Sequence, residues 1–440
     1  MNSTLRPAGA FYRAIWRWHF YAGVIVLPVL MWLAATGALY LYKPEIEAFA
    51  YRDWSVVQPA GQAQPIAAMI ASVERQSGAT VTQVSRPAGA AESWRMTLRL
   101  PNGEKRMAFV DPYRGAVLGT ANAGGVMDTV RLLHSLAITG PVGNALVEIA
   151  AGWAVVLVVT GLILWWPRGG SPVIGVRGRP RSRVFWRDLH GSIGLIAAAV
   201  ILFLAVTGMP WSGVAGEWLD GWVNAQGLGR PERPVPGSVA AKHEGHEGHH
   251  EGVETLPWSM QHTPAPAPAS KAGPVTPDLV AARAEWAGLA APWTMTLPAR
   301  PGAPYLVSAP IARAQDAHAL YIDVATGAVL QDARYADFGA GAKAIEWGIA
   351  THQGQQYGEA NRLAMLGGCI AVWLLAITGI VAWWKRRSGG RLRAPPPALD
   401  RRRTIGVAGA MVALGALFPL TGLTMIAALA GEAGLAAMRR

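Results

Sequence analysis

The sequence predicts an α-helical integral membrane protein with about five transmembrane helices and two small α+β units outside the bilayer, built by internal duplication. Three observations predict it. Only 15% of the 440 residues are charged and 52% are hydrophobic, against about 25% charged in a globular protein. Five apolar runs, at 20–42, 149–166, 191–216, 363–384 and 404–431, reach the roughly 18 residues that mark a membrane helix. Four histidines recur at matched places in the two halves, a self-similarity that bears on the whole architecture.

The first run follows Trp16-Arg17-Trp18-His19 and continues for 23 residues without a charge. That exceeds the apolar core of a signal peptide, so a retained helix over 10–43 is expected. The third run, with its helix over 187–216, opens almost the same way, on Trp186-Arg187-Asp188-Leu189-His190. In both, a glycine follows the histidine by four residues (Gly23, Gly194), and a Thr-Gly pair begins 17 residues after it (Thr36-Gly37, Thr207-Gly208). A second pattern links the helices over 127–167 and 336–385. His134 is followed at 26 residues by Thr160-Gly161 and at 31 by Trp165-Trp166; His352 is followed at the same intervals by Thr378-Gly379 and Trp383-Trp384. Pro28 and Pro419 are expected to kink their helices.

Between the first two helices lies a segment, 44–126, with helical spacing of Ile66, Met69, Ile70 and Val73. Alternating strands over 94–100 and 106–111 follow, joined by the turn signal Pro101-Asn102-Gly103. The segment 276–335 repeats it: Trp94-Arg-Met-Thr-Leu98 recurs as Trp293-Thr-Met-Thr-Leu297, and the closing stretch around Asp111 recurs around Asp323. Residues 217–275, rich in Gly, Pro and Ala, read as a flexible linker. Within it His243, His246, His249 and His250 alternate with carboxylates, a composition that binds Zn, Cu or Ni ions. No fixed ligand geometry is visible, so a polar linker with incidental metal affinity is the equal alternative.

The net charge is +12, and its placement orients the chain. Residues 1–18 carry three Arg and no acid, 167–187 six Arg and no acid, and 385–403 eight basic residues and one acid. These segments belong in the cytoplasm, including the loops 168–186 and 386–403. The N-terminus is then cytoplasmic and both α+β units lie outside. Anchoring to anionic headgroups accounts for the charge without nucleic acid. A fifth helix over 404–431 would leave Arg439-Arg440 on the wrong side. The single cysteine, Cys369, excludes disulfides within the chain, an iron–sulfur cluster and covalent haem attachment.

The ending Asp111-Pro112-Tyr113-Arg114-Gly115-Ala116-Val117-Leu118 resembles that of a PepSY domain, a small α+β module. With the histidine-bearing helices, residues 10–390 resemble the PepSY-associated transmembrane family, which includes iron-regulated inner-membrane proteins and haem-containing ferric-siderophore reductases. The resemblance implies a bacterial inner-membrane protein that reduces ferric iron held in a siderophore.

The residues themselves carry the haem argument. An ionisable side chain in a membrane helix is costly and usually functional. His19 and His190 begin helices that run the same way and share one depth; His134 and His352 precede helices that run back and share the other. Two imidazoles facing across a flat ring make bis-His haem b, which suits electron transfer. Zinc would need four tetrahedral ligands, and no Cys or acid is spaced to complete them. Gly23 and Gly194 leave room for a porphyrin or for close helix packing. Arg17, Arg187, Arg131 and Arg362 flank the histidines as propionate partners or as membrane-edge anchors. The Trp pairs read as an aromatic belt. Cytoplasmic loops of about twenty residues cannot house a nicotinamide or flavin domain, and no Gly-x-Gly-x-x-Gly follows a strand, so the electron donor is a quinol or another protein. The expected function is therefore a di-haem cytochrome b, and the resemblance implies that its acceptor on the outer side is ferric siderophore. Two rivals remain: a metal-binding or sensing protein without redox chemistry, and a PepSY scaffold that binds a partner protein.

Overall fold

In water the apolar runs would have to hide from solvent; in a bilayer they can face outward, and they do. The computed structural model describes residues 10–166, 174–229, 256–261, 275–300, 302–386 and 418–437. Among the described residues four helices are long and apolar enough to cross a membrane: α1 (Ala10–Tyr40), α6 (Pro141–Trp165), α7 (Arg183–Thr207) and α12 (Gly358–Trp384). Side chains such as Ile25, Ile196 and Ile370 stay exposed on their outer faces. α1 packs on α6, α6 on α7, α7 on α12 and α12 back on α1. The four close into a ring in which α1 and α7 stand diagonally opposed. Gly368 sets the α7–α12 approach: a Cβ there would lie 2.6 Å from Val200 Cγ1.

The fifth expected span does not follow from the described residues. Of 404–431, the part up to 417 lies outside them; what is described is α13 (Pro419–Ala437). This helix packs on α6: Trp153 Nε1 donates to Thr424 Oγ at 3.0 Å, and Met425 is buried. Pro419 opens this helix, where proline costs nothing, and so does not kink it.

The two expected outer units form one sheet. Strands β1 (Thr80–Arg86), β2 (Trp94–Arg99), β3 (Lys105–Asp111) and β4 (Ala116–Asn122) are followed by β5 (Trp293–Thr296), β6 (Tyr305–Ser308), β7 (His318–Ile322) and β8 (Val329–Arg334), in the order β4-β3-β2-β1-β5-β6-β7-β8. All neighbours are antiparallel. The seam is β1 against β5, where Gln83 Nε2 donates to Thr296 Oγ at 3.0 Å and the Ser85 and Thr294 hydroxyls bond at 2.9 Å. α4 (Ile66–Ser77) and α10 (Pro277–Trp286) cover one face, where Met69, Val73, Met96, Val280, Met295 and Leu320 are buried together. Asp278 of α10 accepts from the first amides of α4, Ile66 N at 2.6 Å and Ala67 N at 3.1 Å, which locks the two helices together.

The seam corrects one sequence correspondence. Trp94-Arg-Met-Thr-Leu98 lies on β2, second from the seam, whereas Trp293-Thr-Met-Thr-Leu297 forms the seam strand β5 itself. The likeness reflects a shared core, since the two indoles meet edge to face at 5.9 Å. The closing turns do correspond. Asp111 Oδ1 accepts from Tyr113 N and Arg114 N, Asp323 Oδ1 from Ala325 N and Thr326 N, and each turn ends on a left-handed glycine, Gly115 and Gly327.

The opposite face of the sheet meets the elements that lead to the bundle. On one side Arg95 pairs with Glu47 of α2 (Lys43–Ala50) at 3.2 Å, and Phe109 packs on Tyr51 and on Trp54 of α3 (Arg52–Ser55). On the other, Leu306, Ala319 and Tyr321 pack with Met260, Phe338 and Ala342. The expected linker 217–275 is not all linker. Its start is helical, as α8 (Gly213–Ala225), and 258–261 form a short turn, α9 (Trp258–Gln261), docked on α11 (Ala340–His352). Asn144 and Glu148 of α6 accept from Gly213, Val214 and Ala215 and hold the start of α8.

Glu346 of α11 is buried and accepts from both the amide and the hydroxyl of Ser259 at 2.8 Å. Burial raises its pKa above the ordinary carboxylate value. The folded state therefore holds its proton to higher pH than the unfolded chain does, and this group's contribution falls as pH rises above about 4.5. Glu346→Gln keeps an oxygen for both Ser259 donors without a charge. It should raise the unfolding midpoint at pH 7 relative to wild type and leave it unchanged at pH 4; a lower midpoint at both pH values would show that the charge itself is needed.

Candidate functional site: two pairs of imidazoles in the bundle

Each of the four histidines meets a Thr-Gly pair on another helix. His19 of α1 sits against Thr160 of α6, with Nδ1 2.9 Å from Oγ. His190 of α7 sits against Thr378 of α12 at 3.0 Å. His134, the last residue of α5 (Gly125–His134), sits against Thr36 of α1 at 2.9 Å, and His352, the last residue of α11, against Thr207 of α7 at 2.9 Å. The 17-residue spacing now has a meaning. One helix carries a histidine at one level and, about 26 Å of helical rise further on, the threonine that serves a histidine at the other level.

The threonines also fix the tautomer. A hydroxyl has one hydrogen to give. Thr36 gives it to Trp32 O at 2.8 Å, Thr160 to Val156 O at 2.6 Å, Thr207 to Phe203 O at 2.7 Å and Thr378 to Leu374 O at 2.7 Å. This is the back-bond to residue i−4 that threonine makes within a helix. With that hydrogen spent, each Oγ can only accept, so each histidine carries its proton on Nδ1. His190 gives an independent sign: its Nδ1 is also 3.1 Å from the Leu375 carbonyl, which can only accept. Every Nε2 is left with its lone pair, the state of a histidine prepared to ligate a metal.

The glycine of each pair completes the cradle. A Cβ on Gly37 or Gly161 would stand 3.2 Å from Cε1 of His134 or His19; one on Gly379 would stand 3.4 Å from that of His190, and one on Gly208 3.6 Å from that of His352. Threonine holds one edge of the imidazole, and the missing side chain beside it lets the ring lie against the backbone. Gly23 and Gly194 are less crowded, with a Cβ meeting only Leu157 at 3.9 Å or Leu375 at 3.6 Å.

His19 and His190 face each other across the bundle, with ring centroids 6.3 Å apart and planes at 87°. Two metal–nitrogen bonds of about 2 Å, with about 1.1 Å from each nitrogen to its ring centre, would give about 6.2 Å. At the sheet end, burial lowers the His134 pKa to about 4; burial, and then the neighbouring His134, lower that of His352 to about 3. Both rings stay neutral, as ligands must. Among the described residues no three His, Cys, Asp or Glu side chains gather as a metal cluster. The donor sets are thus pairs, suited to an ion whose remaining positions belong to a macrocycle.

The flanking arginines are placed less simply. Arg131 is paired with Asp128, Arg187 with Asp188 at 2.7 Å, and Arg362 with Glu45 and Glu359 while it covers the Tyr42 ring. Arg17 lies over Tyr21. The Trp pairs divide: Trp166 and Trp384 are exposed, as a belt requires, while Trp383 packs edge-on against Phe20. His243, His246, His249 and His250 lie outside the described residues. Sequence reading found the histidines and noticed the Thr-Gly pairs, but gave the threonines no task; the i−4 back-bond, available to any helical threonine, was the signal.

A family model described as the PepSY-associated TM region matches residues 16–386. No curated protein sequence matches the chain.

Proposed function

From the premise that the chain belongs to the PepSY-associated transmembrane family, we propose that it is a bacterial inner-membrane cytochrome b with two haems, which passes electrons to the sheet side and reduces ferric iron held in a siderophore. The observation that carries this reading is the tautomer lock: four half-buried imidazoles, each with Nδ1–H given to a threonine that can only accept, each with Nε2 free. Haem b between each pair would supply a one-electron carrier with no open iron position. His19 and His190 would hold one, His134 and His352 the other.

The chain's own residues do the rest. The four threonines orient the ligands and strengthen them as donors. By the positive-inside rule, the Arg-rich segments favour a cytoplasmic His19–His190 end and a periplasmic sheet. The donor is a quinol or a cytoplasmic reductase. Reduction favours release because Fe(II) is held less well than Fe(III) by an oxygen-rich chelator.

The test is an optical spectrum of the purified protein, oxidised and reduced. A Soret band with sharpened α and β bands on reduction, and two haems per chain, is expected. A protein purified without Soret absorption would point to the metal-sensing or scaffold reading.

A further inference from the structure

Haem b carries two carboxylates on one edge, and Arg131, Arg187 and Arg362 already answer protein carboxylates. A different cluster stands at the Arg-rich end of the bundle, between α1 and α12. Trp383 Nε1 is a buried donor without a hydrogen-bond partner among the described residues. Its indole meets Phe20, the residue after His19, at 5.6 Å. The Arg386 guanidinium stands over the Trp16 ring at 4.9 Å and the Phe20 ring at 5.7 Å. Trp383 lies five residues beyond Thr378, the partner of His190, which is about 7.5 Å of helical rise toward this end.

A buried N–H without an acceptor costs about 1–3 kcal/mol, so an orphan of this kind is a sign of a missing ligand. The Arg386 guanidinium, half-buried over the Trp16 and Phe20 rings, brings positive charge to the same corner. We propose that Trp383 Nε1 and the Arg386 guanidinium form a carboxylate site that receives a propionate of the haem held by His19 and His190. The proposal rests on the cytochrome reading. It also separates the two tryptophans of the pair, Trp384 as belt and Trp383 as ligand donor.

The test compares haem with its dimethyl ester, which has the same ring and no carboxylate. Full-length protein, freed of haem and carrying His134→Ala and His352→Ala so that one pair remains, is titrated with each compound and followed by its Soret band. The intact chain serves as a second host should those substitutions disturb folding. The free acid should bind about tenfold more tightly than the ester, as one charge-assisted hydrogen bond would give. Trp383→Phe, which keeps the ring and loses the N–H, and Arg386→Gln should each bring the ratio toward one. Equal binding of acid and ester by the unsubstituted site would overturn this proposal alone. Binding of neither would overturn the cytochrome reading and this proposal with it. A lipid phosphate is the other anion within reach of this end. If the two variants kept the acid preference and lost stabilisation by anionic lipid, the site would belong to the lipid and the proposal would fall.

Discussion

His19→Ala and His190→Ala should each remove the same half of the bound haem, and the double variant should lose no more than either alone. His134→Ala and His352→Ala should together define the other half. The expectation follows from the geometry of pairs. The rings of His19 and His190 are 6.3 Å apart, while about 26 Å of helix rise separates that level from the other. Loss of one imidazole leaves its partner buried with no second donor, and bis-imidazole affinity depends on both. The effect is large because two metal–ligand bonds act as one unit, so the variants should be strongly non-additive. Thr160→Val and Thr378→Val should be milder. Each removes an Nδ1 acceptor and leaves the ligand, for a loss of roughly 10–100-fold in haem affinity, the usual cost of an outer-shell partner. Haem content by pyridine haemochrome and the reduced-minus-oxidised spectrum measure all of these. Spectral components that separate between His19→Ala and His190→Ala would refute the pairing.

The histidines could be found in the sequence because a repeat leaves equal spacings on both copies, and 17 and 26 residues survive as plain counts. Their partners could not. Thr160 lies 141 residues from His19 and Thr378 lies 188 from His190, and no local pattern tells which helix a ring will lean on. The continuous sheet was hidden for the same reason. Its seam joins strands some 209 residues apart through Ser85 with Thr294 and similar polar pairs, which alternate like any exposed strand face. The match of Trp94–Leu98 with Trp293–Leu297 misled because core-facing strands with a Trp and a Met at the same phase read alike whichever strand they occupy. α8 was masked by composition: Gly213, Gly216 and Gly221 lower its helical propensity, and what holds its start is Glu148, on another helix.

Ferric siderophore should reoxidise the reduced protein from the sheet side, and loss of the pair at that end should stop the reaction. In right-side-out vesicles, a membrane-impermeant ferric chelate should bleach the reduced α band in a stopped-flow experiment, with Fe(II) trapped by an external chelator. Inverted vesicles should not respond. On the proposed reading, electrons from the His19 level would reach the outside through His134 and His352, the level next to the sheet, because about 26 Å of helix separates the two levels. His134→Ala with His352→Ala should therefore cut the rate of iron reduction by at least about a hundredfold, since electron transfer would have to span nearly the full hydrocarbon core of ~30 Å. The haem at His19 and His190 should remain, reducible by dithionite, so the loss would lie in the path and not in folding. His19→Ala with His190→Ala should show the opposite. A chemically reduced outer haem would still be oxidised by the chelate, while reduction by a quinol or cytoplasmic donor would fail. A response from inverted vesicles only would reverse the orientation argued from the Arg-rich segments. A reduced spectrum that stays unchanged with ferric siderophore over minutes, yet bleaches with Cu(II), would replace the substrate and leave the two haem sites in place.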